Sequence, residues 1–315
     1  MNTHPNSDNF GTGSHLRSAP EPSAVLALLK PITWFPPMWA YMCGAVSVGG
    51  AVPDRWIYIA VGVLLAGPLV CGTSQAVNDW FDRHVDAINE PNRVIPSGRV
   101  PGRWGLWIGI ATSLLSLVVA SFLGIWVFCA AVVGLLLAWA YSMPPLRLKQ
   151  NGWIGNAAVG FSYETLPWFT AAAAALGAFP GSMVVWIAVL YGIGAHGIMT
   201  LNDFKAIDGD RQMGIRSLPV QLGVKGAALT AGAVMLAAQL GVIVLLLLMG
   251  STWAMLVVSL LTAAQAAALV YFVADPIRRA VWYSAIGVGL YVSGMMVTAF
   301  ALRAHEIARL SGDLP

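Results

Sequence analysis

Two short blocks of this 315-residue sequence carry oxygen ligands at spacings that suit a cation. The first begins Asn78-Asp79-Trp80-Phe81-Asp82 and continues through Asp86, Glu90 and Arg93-Val94-Ile95-Pro96. The second begins Asn202-Asp203-Phe204-Lys205 and continues through Asp208, Asp210, Arg211 and Arg216-Ser217-Leu218-Pro219. On a helix that runs past Asn78, residues Asn78, Asp82 and Asp86 fall at i, i+4 and i+8, with Asp79 three before Asp82, so all four share a face. Asp203 and Asp210 are seven apart and share a face on the same reasoning, with Asp208 off it unless the helix has ended. Like charges stacked in this way repel one another unless something cationic lies between them. Mg²⁺ is usually held by one or two carboxylates together with substrate phosphates, so hard ligands this sparse suit a metal carried by a phosphorylated substrate. The expected metal ligands are Asn78, Asp79, Asp82, Asp86, Asn202, Asp203, Asp208 and Asp210, with turnover resting on Asp79, Asp82 and Asp203. Arg83, Arg93, Arg147, Lys149, Lys205 and Arg211 are the cations near enough in sequence to clamp phosphates. The alternative is a pair of solvated loops whose Asp residues merely favour turns; the echo between the two blocks argues against it.

These blocks need elements to hold them. Hydrophobic residues make up 58% of the chain and charged ones only 10%, against about 25% charged in an ordinary soluble domain. So little charge cannot cover a soluble surface, which excludes a soluble enzyme, a disordered chain and a nucleic-acid binder. About 20 apolar residues cross a bilayer as a helix. Nine such segments are predicted, near 32–52, 56–77, 104–122, 125–142, 154–176, 182–201, 226–249, 252–274 and 280–302. Backbone groups in lipid must bond internally, so the expected fold is an all-α membrane bundle over 31–303. A mobile polar tail is expected at 1–30 and a short tail at 304–315.

Charge then orients the bundle. With the N-terminus in the cytoplasm, cytoplasmic segments hold fourteen of the seventeen basic residues, leaving Arg55, Arg303 and Arg309 opposite. That is the positive-inside pattern. The two long loops, 78–103 and 202–225, both become cytoplasmic and hold seven of the fourteen acids. They follow helices four spans apart, as a parallel internal duplication would place them. Cys43, Cys71 and Cys129 lie in apolar runs without metal spacing and read as small packing residues.

Several other residues could touch substrate. Glu164 is the one acid expected inside a span, where an ionisable group is a functional candidate by default, either orienting substrate or capping a hydrogen-bonded network with Tyr163 and Thr165. His196 could ligate a metal within a bound ligand, or else bond between helices. His84 could tune the metal site or be a solvated histidine. Trp34, Phe35, Trp39, Tyr141, Trp168 and Phe169 could wall a flat ring and a cation's path, or anchor helices at the membrane interface.

At the blocks themselves the sequence resembles a known family. Asn78 to Asp86 reads NDWFDRHVD and fits the NDxxDxxxD signature of UbiA-type intramembrane prenyltransferases. Asn202 to Arg211, NDFKAIDGDR, is similar to their second Asp-rich motif. Nine helices and cytoplasmic Asp motifs are what that resemblance implies, over about Lys30 to Leu302. Three further runs look like the chlorophyll and bacteriochlorophyll synthase branch. They are Asp86-Ala87-Ile88-Asn89-Glu90-Pro91-Asn92-Arg93 with Ile95-Pro96-Ser97-Gly98, Lys30 to Trp39 (KPITWFPPMW), and Tyr141 to Lys149 (YSMPPLRLK). The WFPPMW run inclines the reading to the bacteriochlorophyll side. One position departs from the family pattern, which puts Lys four residues after Tyr141; Pro145 stands there, with Arg147 and Lys149 as the nearby cations.

The resemblance implies Mg²⁺-dependent transfer of a C20 isoprenoid, geranylgeranyl or phytyl, from its diphosphate to the propionate of bacteriochlorophyllide, with Mn²⁺ a possible substitute metal. Lys30, Trp34, Phe35, Tyr141, Ser142, Glu164 and His196 are the expected substrate contacts. A carboxylate acceptor is already ionised at neutral pH and needs no protein base, and no Ser/His/Asp or Cys/His set stands near the Asp loops. The expected location is the inner or photosynthetic intracytoplasmic membrane of a bacterium, with the site facing the cytoplasm. Pigment-biosynthesis or light-harvesting proteins are possible assembly partners. Same-fold alternatives are a chlorophyll synthase acting on chlorophyllide and a prenyltransferase acting on a quinone or haem precursor. A secondary transporter and a non-catalytic pigment binder are readings of another class.

Overall fold

Long apolar runs interrupted by Pro and Gly give a molecule built of helices, and the computed structural model describes residues 19–49 and 53–311. Its helices are α1 Pro22–Leu29, α2 Phe35–Val46, α3 Trp56–Asn89, α4 Trp104–Leu123, α5 Ile125–Ser142 and α6 Gly152–Leu176. They continue as α7 Ser182–Asp203, α8 Ile207–Gln212, α9 Leu218–Leu248, α10 Thr252–Ala274 and α11 Pro276–Ser311. Seven of them, α3, α4, α5, α7, α9, α10 and α11, are long and apolar enough to cross a membrane. The other two expected spans fall outside that group. α2 has 12 residues, about 18 Å at 1.5 Å per residue, and α6, which turns through a π segment at Phe161–Thr165, carries Asn156, Ser162, Glu164 and Thr170 and is less apolar than the seven.

Neighbour contacts run α3–α4–α5–α6–α7–α9–α10–α11–α2, and α2 also packs along α6 and so closes the bundle. Small residues allow these close crossings. A Cβ at Gly160 would meet the Gly192 carbonyl oxygen at 2.6 Å, and one at Gly44 the Trp168 carbonyl oxygen at 2.1 Å. A buried polar ladder, Gln239, Thr262, Gln265 and Tyr283, links α9, α10 and α11.

Three segments differ from the sequence reading. Residues 22–29 are helical rather than tail, because Ala24 and Leu28 bury themselves against Ala76, Val94 and Val100. Residues 1–18 and 312–315 of the expected tails lie outside the described residues. At the other terminus α11 runs on to Ser311, past the expected boundary near 303, with Glu306 and Arg309 paired one turn apart at 2.7 Å. The second Asp block is not one helix. α7 ends at Asp203, residues 204–206 turn, and α8 begins at Ile207. Phe204, 3% exposed and edge-on to Phe272 at 5.5 Å, draws the chain inward there.

The loops sort into two ends. Lys30, the end of α3, the 143–151 loop and the 204–217 segment lie together: Lys30 reaches Asp79, Asn89 reaches Met213, and Gln150 and Gly152 bond to Arg216. Gly152 N–H donates to the Arg216 carbonyl at 2.8 Å, and Arg216 N–H to the Gln150 carbonyl at 2.9 Å. Only glycine fits at 152, since a Cβ would meet the Leu218 nitrogen at 2.7 Å. At the opposite end Gly49 lies against Glu306, and Arg55 against Gly177.

Candidate active site

α3 carries the first block because no breaker interrupts it between Gly72 and Asn89, where Glu90 and Pro91 end it. The continuation expected from the spacing is therefore present. Asp79 and Asp86 are 2% and 6% exposed, so carboxylates this deep must be compensated. Each has a partner supplied by a neighbouring turn. Lys30, at φ 47°, follows α1 and places Nζ 2.6 Å from Asp79. Arg93 reaches back from the bend after α3, with Nη1 2.9 Å from Asp86 and 3.4 Å from Asp79, and Nε 2.5 Å from Glu90. Lys149, on the turn Leu148–Gln150, donates to both oxygens of Asp82 at 2.5 Å, and Arg147 Nη2 lies 3.7 Å from the same carboxylate. Burial holds the Lys149 ammonium below the ordinary lysine range, against the pull of Asp82.

The second block faces the first across Tyr141, which lies within electrostatic reach of Asp82, Asp203 and Asp210. Asn156 Nδ2 of α6 donates to Asp203 at 3.3 Å and to Thr200 at 3.2 Å. Asp210 is 7% exposed, and burial pushes its carboxyl above the usual aspartate range. Asn78 Nδ2 donates to Ser142 Oγ at 3.1 Å, which ties the first block to the end of α5.

Below this charged end lies a cavity of about 240 Å³ between α3, α5, α6 and α7. Asn78 and Tyr141, with Met199 beside them, line its end toward the Asp blocks, and Ser74, Gln75, Cys71 and Tyr163 its middle. A narrower apolar pocket shares Ala66, Val70, Gly134 and Ser162 with it and runs on to Leu65, Ala131 and Thr170.

Other expected site residues stay apart. Asn202, Lys205, Asp208 and Arg211 are exposed and make none of the ion pairs of the cluster. Arg83 folds back on its own helix, its Nη1 donating to the Trp80 carbonyl at 2.6 Å and its guanidinium 4.1 Å from the Trp80 ring. His84 is exposed. Phe35, 63% exposed, stacks on Trp39 outside the cavity, and Trp34 Nε1 donates to the Leu29 carbonyl, so its role is to fasten α1. Trp168 is fully buried on Tyr191. Glu164 sits in the π turn of α6 toward Cys43 and Tyr291, away from the cavity lining. His196 lines a separate apolar groove beside Trp153.

The sequence reading leaves out Gln75, takes Cys71 as packing and gives Tyr163 only as a hydrogen-bonding neighbour of Glu164. Gln75, Cys71 and Tyr163 join in one polar cluster within the cavity, where Cys71 had read as packing. Gln75 lies three residues before Asn78 and Cys71 seven, on the motif's own helical face, and that spacing was the available signal.

Among the described residues no three acid, histidine or cysteine side chains gather tightly enough to ligate one ion alone. Two sets of hard oxygens, Asp79, Asp82 and Asp86 paired with Lys and Arg, and Asp203 and Asp210 without such pairs, fit Mg²⁺ that arrives with a diphosphate.

The chain is 55% identical over 293 residues to the bacteriochlorophyll synthase 33 kDa chain of Cereibacter sphaeroides, covering 93% of this chain and 97% of that one. It is 41% identical to the chloroplastic chlorophyll synthase of Avena sativa over 88% of this chain and 75% of that one. Its fold is similar to that of a UbiA homolog from Archaeoglobus fulgidus bound to DMAPP and Mg²⁺, with a TM-score of 0.62 at 17% identity over 91% and 99% of the two chains. Residues 34–301, from the start of α2 almost to the end of the bundle, match a single family model, and the chain belongs to the UbiA prenyltransferase family.

Proposed function

We propose that this chain transfers a C20 isoprenoid, geranylgeranyl or phytyl, from its diphosphate to the propionate carboxylate of bacteriochlorophyllide, making the ester tail of bacteriochlorophyll. The observation that carries this reading is the 55% identity to a bacteriochlorophyll synthase chain along nearly the whole of both sequences. The 41% identity to a chlorophyll synthase makes chlorophyllide the second acceptor to test.

The residues support the chemistry as follows. Bound with the diphosphate, Mg²⁺, or Mn²⁺ in its place, would neutralise its charge and make it a better leaving group. Asn78, Asp79, Asp82 and Asp86 from one block and Asp203 and Asp210 from the other would hold the ion. Lys30, Arg93, Arg147 and Lys149, which pair with the first set of acids, turn toward phosphate oxygens when the donor enters. The isoprenoid lies along the apolar pocket between α3 and α5. There it is kept from water while its C1–O bond breaks with allylic cation character. The acceptor carboxylate attacks C1 already ionised, so no residue has to remove a proton.

The whole domain crosses the bilayer nine times, α2 and α6 included, with the N-terminus and both Asp blocks in the cytoplasm of a bacterium. The grouping of Lys30, Asp79, Lys149 and Arg216 at one end and Glu306 at the other supports this odd number of passes.

Product analysis tests the reading. Purified protein with Mg²⁺ and competing bacteriochlorophyllide and chlorophyllide should esterify the former faster. With ¹⁸O at the bridging oxygen of the donor, no label should enter the pigment. Label in the ester would mean that the chain was transferred as an alcohol onto an activated carboxyl.

A further inference from the structure

The two Asp blocks are held by different kinds of partner. Lys30, Arg93 and Lys149 pair with Asp79, Asp86 and Asp82 at 2.6, 2.9 and 2.5 Å. Among the described residues no lysine or arginine pairs with Asp203, and two neutral donors hold it instead. One is the Leu218 N–H at the start of α9, a main-chain group left free by the helix ladder. The other is Asn156 Nδ2 of α6, 3.3 Å from Asp203 Oδ2.

The Asn156 amide is itself held. Thr200 Oγ1 gives its proton to the His196 carbonyl at 3.0 Å, so toward Asn156 that oxygen accepts, and Asn156 Nδ2 donates to it at 3.2 Å. A carboxylate also only accepts. Two acceptors therefore fix which end of the amide faces Asp203, and both of its N–H protons are in use. Asn156 is 6% exposed, which keeps bulk water from taking over either bond. The turn before it starts from a fixed point: Asn151 caps α6 by accepting from the Trp153 N–H at 3.0 Å, and Gly152 is bonded to Arg216.

Asp203 depends on such support more than the first block does. It is the last residue of α7, and the chain turns away at 204–206. A carboxylate at a helix end with no cation beside it samples several rotamers, whereas a metal ligand gains affinity when a neighbouring group orients it beforehand.

We propose that Asn156 is the positioning residue of the second Asp block: its amide fixes the Asp203 carboxylate for the metal ion without taking up its charge. The acids of the first block part from Lys30, Arg93 and Lys149 to meet the ion. Asp203 parts from nothing, because a neutral donor on one oxygen leaves the negative charge and the remaining lone pairs available. This rests on the reading of Asp203 as a metal ligand given above.

Equilibrium dialysis of the full-length protein in phosphatidylcholine nanodiscs, with Mn²⁺ as the probe and inorganic diphosphate held saturating, tests this without turnover. Asn156→Leu should raise the apparent Mn²⁺ Kd about 10-fold, within the range for losing a partner that orients a metal ligand. Asn156→Ala, the smaller change, should do the same. Thr200→Val, which removes the helix-to-helix half of the amide's contacts, should shift the Kd in the same direction by less. Far-UV circular dichroism and the size-exclusion profile should match wild type in all three, which shows that they are folded. In turnover the loss should appear as a raised Mg²⁺ requirement, with kcat regained at excess metal and the acceptor KM unchanged. Wild-type Mn²⁺ affinity in Asn156→Leu and Asn156→Ala, beside a loss in Asp203→Ala, overturns the proposal and leaves the metal reading standing. A loss in Thr200→Val as large as that in Asn156→Leu also overturns it, since the amide would then act only by tying α6 to α7. Unchanged affinity in Asp203→Ala overturns both.

Discussion

Lys149 Nζ donates to both carboxylate oxygens of Asp82 at 2.5 Å, from a turn that follows the position where the family pattern places its lysine. Pro145 occupies that position, and Lys149, four residues further on, has its side chain only 11% exposed against the same acid. A displaced cation thus reaches the motif from a different backbone position. Lys149→Met should lower kcat/KM for the diphosphate donor by ~100-fold, the scale for removing one positioned charge stabiliser. Arg147→Met should cost less, since its contact with Asp82 is 3.7 Å long. Steady-state kinetics with the donor varied check the order, and equal losses would remove the distinction.

The acids themselves come next. Asp79→Ala, Asp82→Ala and Asp203→Ala should each reduce turnover by about two orders of magnitude or more while the protein still inserts. Glu90→Ala should be milder, because Glu90 acts through Arg93 and its side chain is 56% exposed. Turnover at saturating Mg²⁺ and donor measures both, and near-normal rates in the Asp variants would end the two-block reading.

Apparent Mg²⁺ affinity should depend on pH through Asp210. Burial raises its pKa, so it stays protonated at a pH where a free aspartate is ionised. The neutral form is the poorer ligand, so affinity in the presence of donor should rise with pH through a window lying above the ordinary carboxylate range. Asp210→Asn should flatten that part of the curve in a metal titration.

Chain accommodation should depend on Gly134. A Cβ there would sit 3.6 Å from Leu166 Cδ1 and from Val70 Cγ1, so alanine fits and larger side chains enter the channel. Gly134→Leu should penalise C20 donors by about 1–3 kcal/mol, the usual cost of overpacking, and spare C5 and C10 donors. The ratio of kcat/KM values across donor lengths reads this directly.

Topology is checked by reporter fusions after Gly98 and after Pro315, which should report opposite sides of the membrane. The same side for both would mean an even number of passes.

The helices and the one-face stack from Asn78 to Asp86 were legible because both rest on local periodicity: apolar length for the spans, i, i+4 spacing for the stack. Charge alone carried the clustering of Lys30, Arg93 and Lys149 only as far as proximity in sequence. The pairing itself depends on α1 folding back and on turns at Lys30 and Arg147 with positive φ, and neither has a periodic signal. The break at Phe204 was illegible for a related reason, since it depends on a distant ring, Phe272, that draws the side chain inward. Arg83, Lys205 and Arg211 had the right charge, but facing direction is a tertiary property. Gln75 gives no such signal, because an uncharged polar group in an apolar run looks like an ordinary helix-packing residue until the fold brings it to 3.1 Å from Tyr163.

The two backbone bonds between Gln150, Gly152 and Arg216 have a mechanical consequence. They lace the strap bearing Lys149 to the strap bearing Asp210, and side-chain exchange elsewhere cannot untie them. While these bonds hold, neither strap swings alone, so diphosphate release past them is expected as one concerted opening with a single rate constant. The amide hydrogens of Gly152 and Arg216 are then a clock for that opening: their exchange with deuterated solvent should proceed at a common rate, and that rate should slow together when donor is bound.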